Sequence, residues 1–118
     1  MPAASLTLIN GPGSAKGTEE HATDPSIIDD VREAVTAIPA GFVASYGDIG
    51  RRIGAGPRQV GRAMSLLGDS VPWWRVVYAD GTPASCHSGR APELLNGEGT
   101  PMSGARVDMK RARHRWMP

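Results

Sequence analysis

Cysteine is scarce in this 118-residue chain, which carries a single one, Cys86. One cysteine excludes an intramolecular disulfide and fits a reducing compartment. A cytoplasmic location is therefore expected, at the nucleoid if the cell is bacterial. The histidines are scattered and no His/Cys group has zinc spacing, so neither a metal nor another cofactor is expected. No apolar run approaches the length needed to cross a bilayer, and residues 3–9 lack the basic flank of a secretion signal. No membrane partner is expected. The Gly-rich start lacks the preceding strand, the following helix and the Gly-Lys-Ser/Thr ending of a phosphate loop. No long helix of the dimerising kind is evident, which points to a monomer.

Large aromatic residues are few, and two of the three tryptophans stand side by side in Val71-Pro72-Trp73-Trp74-Arg75-Val76-Val77. Pro72 fixes the backbone entering this heptapeptide, and Val76-Val77 reads as the start of a buried strand. Trp73 and Trp74 then lie at the edge of a core, where flat rings either pack or line a pocket.

The formal net charge of +1 hides an uneven distribution. Residues 1–24 carry Lys16 against Glu19, Glu20 and Asp24, so the remainder is more basic than the total. Between positions 51 and 75, Arg51, Arg52, Arg58, Arg62 and Arg75 face one acid, Asp69. The end of the chain adds Arg106, Lys110, Arg111, Arg113 and Arg115 against Asp108. Two basic clusters suit a polyanionic partner, chiefly nucleic acid, although a solvated surface has the same composition.

Local signals predict a succession of short helices. Asp24-Pro25-Ser26 supplies a capping acceptor and a first-turn proline, and Ile27, Ile28, Val31, Val35 and Ile38 recur at helical spacing. Pro39-Ala40-Gly41 ends that helix, and Phe42-Val43-Ala44 is an extended link. Ser45-Tyr46-Gly47-Asp48 reads as a capping box for a second helix that turns Ile49 and Ile53 inward and Arg51 and Arg52 outward. Gly54 stops it, and Pro57 opens a third helix with Val60, Ala63, Met64 and Leu67 on its inner side. Two short helices joined by a Gly-containing turn form a helix-turn-helix, with Arg58 and Arg62 on one face of the second helix. Val76-Val77-Tyr78 with Asp80-Gly81 predicts a hairpin, residues 83–90 a loop and Glu93-Leu94-Leu95 a brief helix. The expected fold is mostly α: a small winged helix-turn-helix-like domain with a short β-hairpin, flanked by flexible arms. Its expected bounds are 25–104, between a flexible arm over 1–24 and a basic tail over 105–118 that is either a frayed helix or disordered.

Several of these segments occur together in one known family. Ile38-Pro39-Ala40-Gly41, Ser45-Tyr46-Gly47-Asp48-Ile49, Arg58-Gln59-Val60-Gly61-Arg62-Ala63-Met64 and the tryptophan heptapeptide resemble the DNA-binding domain of O6-alkylguanine-DNA alkyltransferases, in the same order over roughly residues 27–99. In that family the last motif is Pro-Cys-His-Arg. Trp73 stands at the position of the alkyl-accepting cysteine and Trp74 at that of its histidine. Tryptophan offers neither a thiolate nor a proton-accepting nitrogen. Aligning Leu94-Leu95 with the family's paired leucines puts Pro92 at the position of the orienting acid, with Glu93 one residue away, so the acid is expected to be missing too. The pattern is similar to that of the alkyltransferase-like proteins, which bind alkylated guanine without repairing it and pass it to nucleotide excision repair.

The resemblance implies duplex DNA with O6-alkylguanine as partner, nucleotide excision repair proteins as further partners, and a base turned out of the stack. Arg58 would fill the space left behind. Tyr46 would push the target phosphate and hold the base. Trp73, supported by Pro72 and Arg75, would wall the lesion pocket under a lid formed by residues 83–90. Gly61 would let the third helix approach the groove, and Arg51, Arg52, Arg62 and the tail would contact phosphates. Trp74 would pack inward. Two other readings remain. One is a winged helix-turn-helix transcription regulator with residues 76–85 as its wing. The other is an alkyltransferase whose nucleophile has moved to Cys86, beside His87. Sequence adjacency does not make two loop side chains face each other, and Cys86 lies past the family site on the far arm of the expected hairpin.

Overall fold

The computed structural model describes residues 24–116. Most of the expected N-terminal arm, residues 1–23, lies outside the described residues. Helix α1, Pro25–Thr36, begins as its local chemistry dictates: the Asp24 carboxylate accepts a hydrogen bond from the Ser26 N–H and proline occupies the first turn. Its buried stripe of Val31, Ala34 and Val35 faces the core, joined by Ile38 beyond its end. Burying each such branched side chain contributes about 1.5–3 kcal/mol.

Strand β1, Ala44–Ser45, leads directly into α2, Tyr46–Ile53. The capping box is present. Ser45 Oγ accepts from the Asp48 N–H at 3.0 Å, and the Asp48 carboxylate accepts from the Ser45 N–H at 3.1 Å. Gly54 ends α2 in the left-handed region at φ 77. Helix α3, Pro57–Leu67, follows after a tight turn. That turn depends on Gly50, because a Cβ there would collide with the Ala55 carbonyl. The α2–α3 pair is the helix-turn-helix, and both helices pack on α1 around Ile49, Val60, Ala63 and Met64.

Trp73–Arg75 forms a single 3-10 turn before β2, Val76–Val77. The expected hairpin is reduced here. β2 pairs in parallel with β1, Ala44 opposite Val76 and Ser45 opposite Val77. The Asp80-Gly81 turn does form, with the Gly81 N–H donating to Tyr78 O at 2.8 Å, but its far arm adds only the bridge Val77–Pro83. Proline has no N–H with which to extend a ladder. The wing expected over residues 76–85 is thus a single bridge.

After a tight turn at Cys86–Gly89, helix α4 covers Ala91–Gly97, longer than the brief piece expected around Leu94. An antiparallel hairpin then pairs β3, Met102–Ser103, with β4, Arg106–Val107. It straddles the expected domain boundary at 104. The segment expected as a frayed or disordered tail is folded onto the domain through residue 116. Val107 and Ala112 are buried, and a short helix α5, Met109–Ala112, follows β4. The His114 N–H donates to Val43 O at 2.7 Å, and the Trp116 indole N–H donates to Ala34 O at 3.2 Å. Trp74 lies between the two apolar clusters of the domain and packs against both, which gives the second tryptophan its inward role.

Candidate nucleic-acid interface

Helix α3 presents its start to solvent. Gly56 caps it, its N–H held by Gln59 Oε1 at 3.0 Å, and Arg58 and Arg62 are both exposed. Four of the expected DNA-contacting residues are distributed around this helix pair: Arg58 and Arg62 on α3, Arg51 and Arg52 at the end of α2. An open groove of about 470 Å³ runs beside Arg58, lined by Tyr46, Gly47, Pro57, Gly61, Tyr78 and Ala79.

A cavity of about 390 Å³ adjoins that groove and shares Tyr46, Gly61 and Tyr78 with it. Its other walls include Trp73, Met64 of α3 and the loop residues Cys86 and His87. The structure therefore brings Tyr46, Trp73 and residues of the 83–90 loop to one cavity, together with Gly61, which was expected only to let the third helix approach the groove. The size is within the roughly 300–1,000 Å³ of small-molecule pockets. Tyr46 is half-buried and its ring leans on Tyr78 at 5.5 Å. Burial, then the neighbouring Tyr78 and Cys86, raise the Tyr46 phenol above its usual range, so it stays an O–H donor.

Trp73 is only 5% exposed. Its ring meets Trp74 edge-on at 5.7 Å and carries the His87 imidazole stacked at 3.9 Å and 12°. His87 is held at both ring nitrogens, with Nδ1 3.1 Å from Cys86 Sγ and Nε2 2.9 Å from Asp69 Oδ1. The backbone there is strained. His87 and Ser88 are the two non-glycine residues with positive φ among the described residues, at 56 and 59, and each costs about 1–3 kcal/mol.

Two expected pocket residues do not line this cavity. Pro72 stays at the head of the 3-10 turn. Arg75 points elsewhere because stronger acceptors claim it. Its Nη1 donates to Ile38 O at 2.8 Å, and Nε and Nη2 donate to the two Glu98 oxygens at 3.1 and 2.6 Å. Its guanidinium also lies over the Trp74 ring at 5.5 Å. Pro92 and Glu93, the positions aligned with the family's orienting acid, are exposed on α4, whereas Glu98, just past its end, faces the Trp74–Arg75 pair. Burial pushes the Glu98 carboxyl up. Hydrogen bonding from Arg75, the nearby Trp74 N–H, the Arg75 charge and the Gly41 N–H outweigh it and hold the acid below its usual range. The Trp74 N–H lies close enough to favour the charged acid, yet completes no hydrogen bond of good geometry. The signal for Glu98 is its spacing, four residues after Leu94 and hence one helical turn on.

A second basic surface is built by the folded end of the chain. Arg51, Arg52, Arg113 and Arg115 surround a cleft of about 310 Å³ that also holds Asp48, His114 and Trp116. Arg113 Nε lies 3.2 Å from Asp48 Oδ2, an ion pair by distance whose N–H is not aimed for a hydrogen bond. Among the described residues no group of His, Cys, Asp and Glu could hold a metal ion, and no helix is long and apolar enough to cross a membrane.

A helix-turn-helix with arginines on its outer face, set against an aromatic pocket, defines a DNA-binding domain of the alkyltransferase type. Residues 27–100 match the family described as "6-O-methylguanine DNA methyltransferase, DNA binding domain", and the chain belongs to that family. It is 34% identical over 105 residues to the DNA base-flipping protein of Escherichia coli strain K12, covering 83% of this chain and 80% of that protein. It is 46% identical over 56 residues to Alkyltransferase-like protein 1 of Schizosaccharomyces pombe, covering 44% of this chain and 52% of that one. The structure of S. pombe Atl1 in complex with damaged DNA containing O6-carboxymethylguanine superposes with a TM-score of 0.68 at 30% identity, over 80% of this chain and 98% of that one. The O6-methylguanine methyltransferase of Mycobacterium tuberculosis superposes with a TM-score of 0.54 at 29% identity, over 86% of this chain and 56% of that one.

Proposed function

We propose that the protein binds duplex DNA containing O6-alkylguanine, everts the modified base into the cavity beside α3, and transfers nothing from it. One observation carries this reading: the cavity joins Tyr46, Gly61 of α3, Trp73 and the Cys86–His87 loop, and opens beside Arg58. The similarity to Atl1, whose structure holds damaged DNA, and to a base-flipping protein supports it. Arg58, exposed on the first turn of α3, replaces the everted base. Tyr46 donates to the backbone at the flip. Arg51, Arg52 and Arg62 hold phosphates and set affinity and its salt dependence. At the motif positions of the family's cysteine and histidine, Trp73 and Trp74 supply packing and an aromatic wall, so the family's transfer step has no nucleophile there. The bound lesion is then handed to nucleotide excision repair in the cytoplasm. Affinities for matched duplexes with and without one O6-methylguanine test the reading, and equal affinities would refute it.

A second reading has one observation in its favour. Cys86 lines the same cavity, its sulfur meets His87 Nδ1, and Asp69 takes the other imidazole nitrogen. A thiol, a base and an orienting acid in series is the arrangement of an activated nucleophile. In that reading Cys86 Sγ attacks the alkyl carbon, the carbon–O6 bond breaks with its electron pair on the guanine, and the thiol proton, taken by His87, passes to that leaving guanine. Incubation with an O6-benzylguanine oligonucleotide followed by mass spectrometry separates the two. An added benzyl mass on Cys86 means transfer; an unchanged mass with lesion-selective binding means recognition alone.

A further inference from the structure

Resting on the reading of this cavity as a base pocket, we propose that His87 is the ring that meets the everted base, with Trp73 as its rigid backing. Trp73 has little surface left for a ligand: one ring face is covered by the imidazole and the ring itself is nearly fully buried. The His87 side chain keeps 26% of its surface exposed and lines the cavity. A cavity of about 390 Å³ remains with His87 in place, within the roughly 300–1,000 Å³ of small-molecule pockets. Tyr46 and Tyr78, whose rings lie 5.5 Å apart, line the same cavity.

Each contact of His87 restrains a different motion. The stack on Trp73 fixes the ring plane, the Asp69 carboxylate fixes rotation within that plane, and Cys86 closes the remaining ring nitrogen. An unconstrained loop would relax the left-handed backbone at His87 and Ser88. Retaining it sets the imidazole parallel to Trp73. With Nε2 turned to Asp69 and Nδ1 to the thiol, the ring edge is occupied, and the face not stacked on Trp73 is what the base can reach. That face offers van der Waals contact and not edge hydrogen bonds, so His87 favours an alkylated base through the added carbon surface of its O6-alkyl group.

The test compares wild type, His87→Ala and His87→Phe by fluorescence anisotropy on an O6-benzylguanine duplex and its unmodified counterpart, with thermal melts confirming that each folds. His87→Ala is expected to bind the lesion about 10- to 100-fold more weakly while its affinity for unmodified DNA holds. His87→Phe should stay within about threefold of wild type on the lesion, since it keeps the stacking face. Lesion affinity in His87→Ala equal to or tighter than wild type overturns the proposal and makes His87 a plug. A His87→Phe variant as weak as the alanine variant also overturns it, because the ring nitrogens would then do the reading. Wild-type protein that binds both duplexes equally removes the pocket reading itself, and this inference with it.

Discussion

Exchanging Glu98 for glutamine tests what holds the tryptophan motif in place. Glu98 accepts two hydrogen bonds from Arg75, at 3.1 and 2.6 Å, and the two side chains are 17% and 16% exposed. Glutamine keeps the shape and one accepting oxygen but turns an amide N–H₂ towards a guanidinium whose other acceptor is Ile38 O. Removing one partner from a buried pair costs about 3–5 kcal/mol; with one hydrogen bond retained, about 2–4 kcal/mol is expected. Domains of this size hold roughly 5–15 kcal/mol, so urea unfolding followed by tryptophan fluorescence resolves the difference easily. The pH dependence has a definite sign. The folded-state pKa of Glu98 is depressed, so its charge contributes stability above the unfolded pKa, and that contribution fades as pH falls through the folded one. The gap between wild type and Glu98→Gln should be full at about pH 7 and close as pH falls below the ordinary carboxylate range. A gap below about 1 kcal/mol at neutral pH, or one that stays constant into acid, would refute the assignment of Glu98 as the charged anchor of Arg75.

Trp73→Ala should weaken binding to O6-methylguanine duplexes by about tenfold or more and leave unmodified DNA unaffected; equal loss on both in anisotropy titrations would remove its pocket role. Arg58→Ala should reduce eversion, read as a loss of 2-aminopurine fluorescence gain at the target position, because nothing then fills the vacated stack. Gly50→Ala places a Cβ against the Ala55 carbonyl and should cost about 1–3 kcal/mol in urea unfolding. Ending the chain at Ala112 removes the His114–Val43 and Trp116–Ala34 hydrogen bonds and two arginines. Stability should fall by about 1–3 kcal/mol, and the salt slope of DNA binding should flatten by about one to two charges.

The helices were legible because each advertises itself locally. Asp24-Pro25, the Ser45–Asp48 capping box and Pro57 after a glycine turn act over a few residues, and tertiary contacts agree with them. Motif resemblance pairs Trp73 with Tyr46, which line one cavity, whereas Gly61 on the same wall was expected only to let the helix approach the groove. What stayed hidden is non-local. Val76-Val77 gives no sign that its ladder forms with Ala44-Ser45 while only a single bridge spans the Asp-Gly turn, because a two-residue strand has too little pattern to choose. Residues 105–116 look dispensable in composition, yet Val107 and Ala112 are enough to seat them once the backbone of Val43 is available. Glu98 follows the leucine pair at the end of a short helix, where nothing local announces its contact with Arg75. Asp69 and His87 face each other only through the loop's left-handed backbone, which no local propensity favours.

The parallel pairing of Ala44-Ser45 with Val76-Val77 also has a kinetic meaning. The helix-turn-helix can assemble from contacts near in sequence, whereas this ladder must close a loop of about thirty residues before its hydrogen bonds compensate the lost chain entropy. Tyr46 follows one strand and Trp73 precedes the other, so their apposition exists only after that closure. Damage recognition is therefore a late-forming property of the chain. A partly opened molecule can keep the basic helices that grip any DNA while losing the ability to tell one guanine from another.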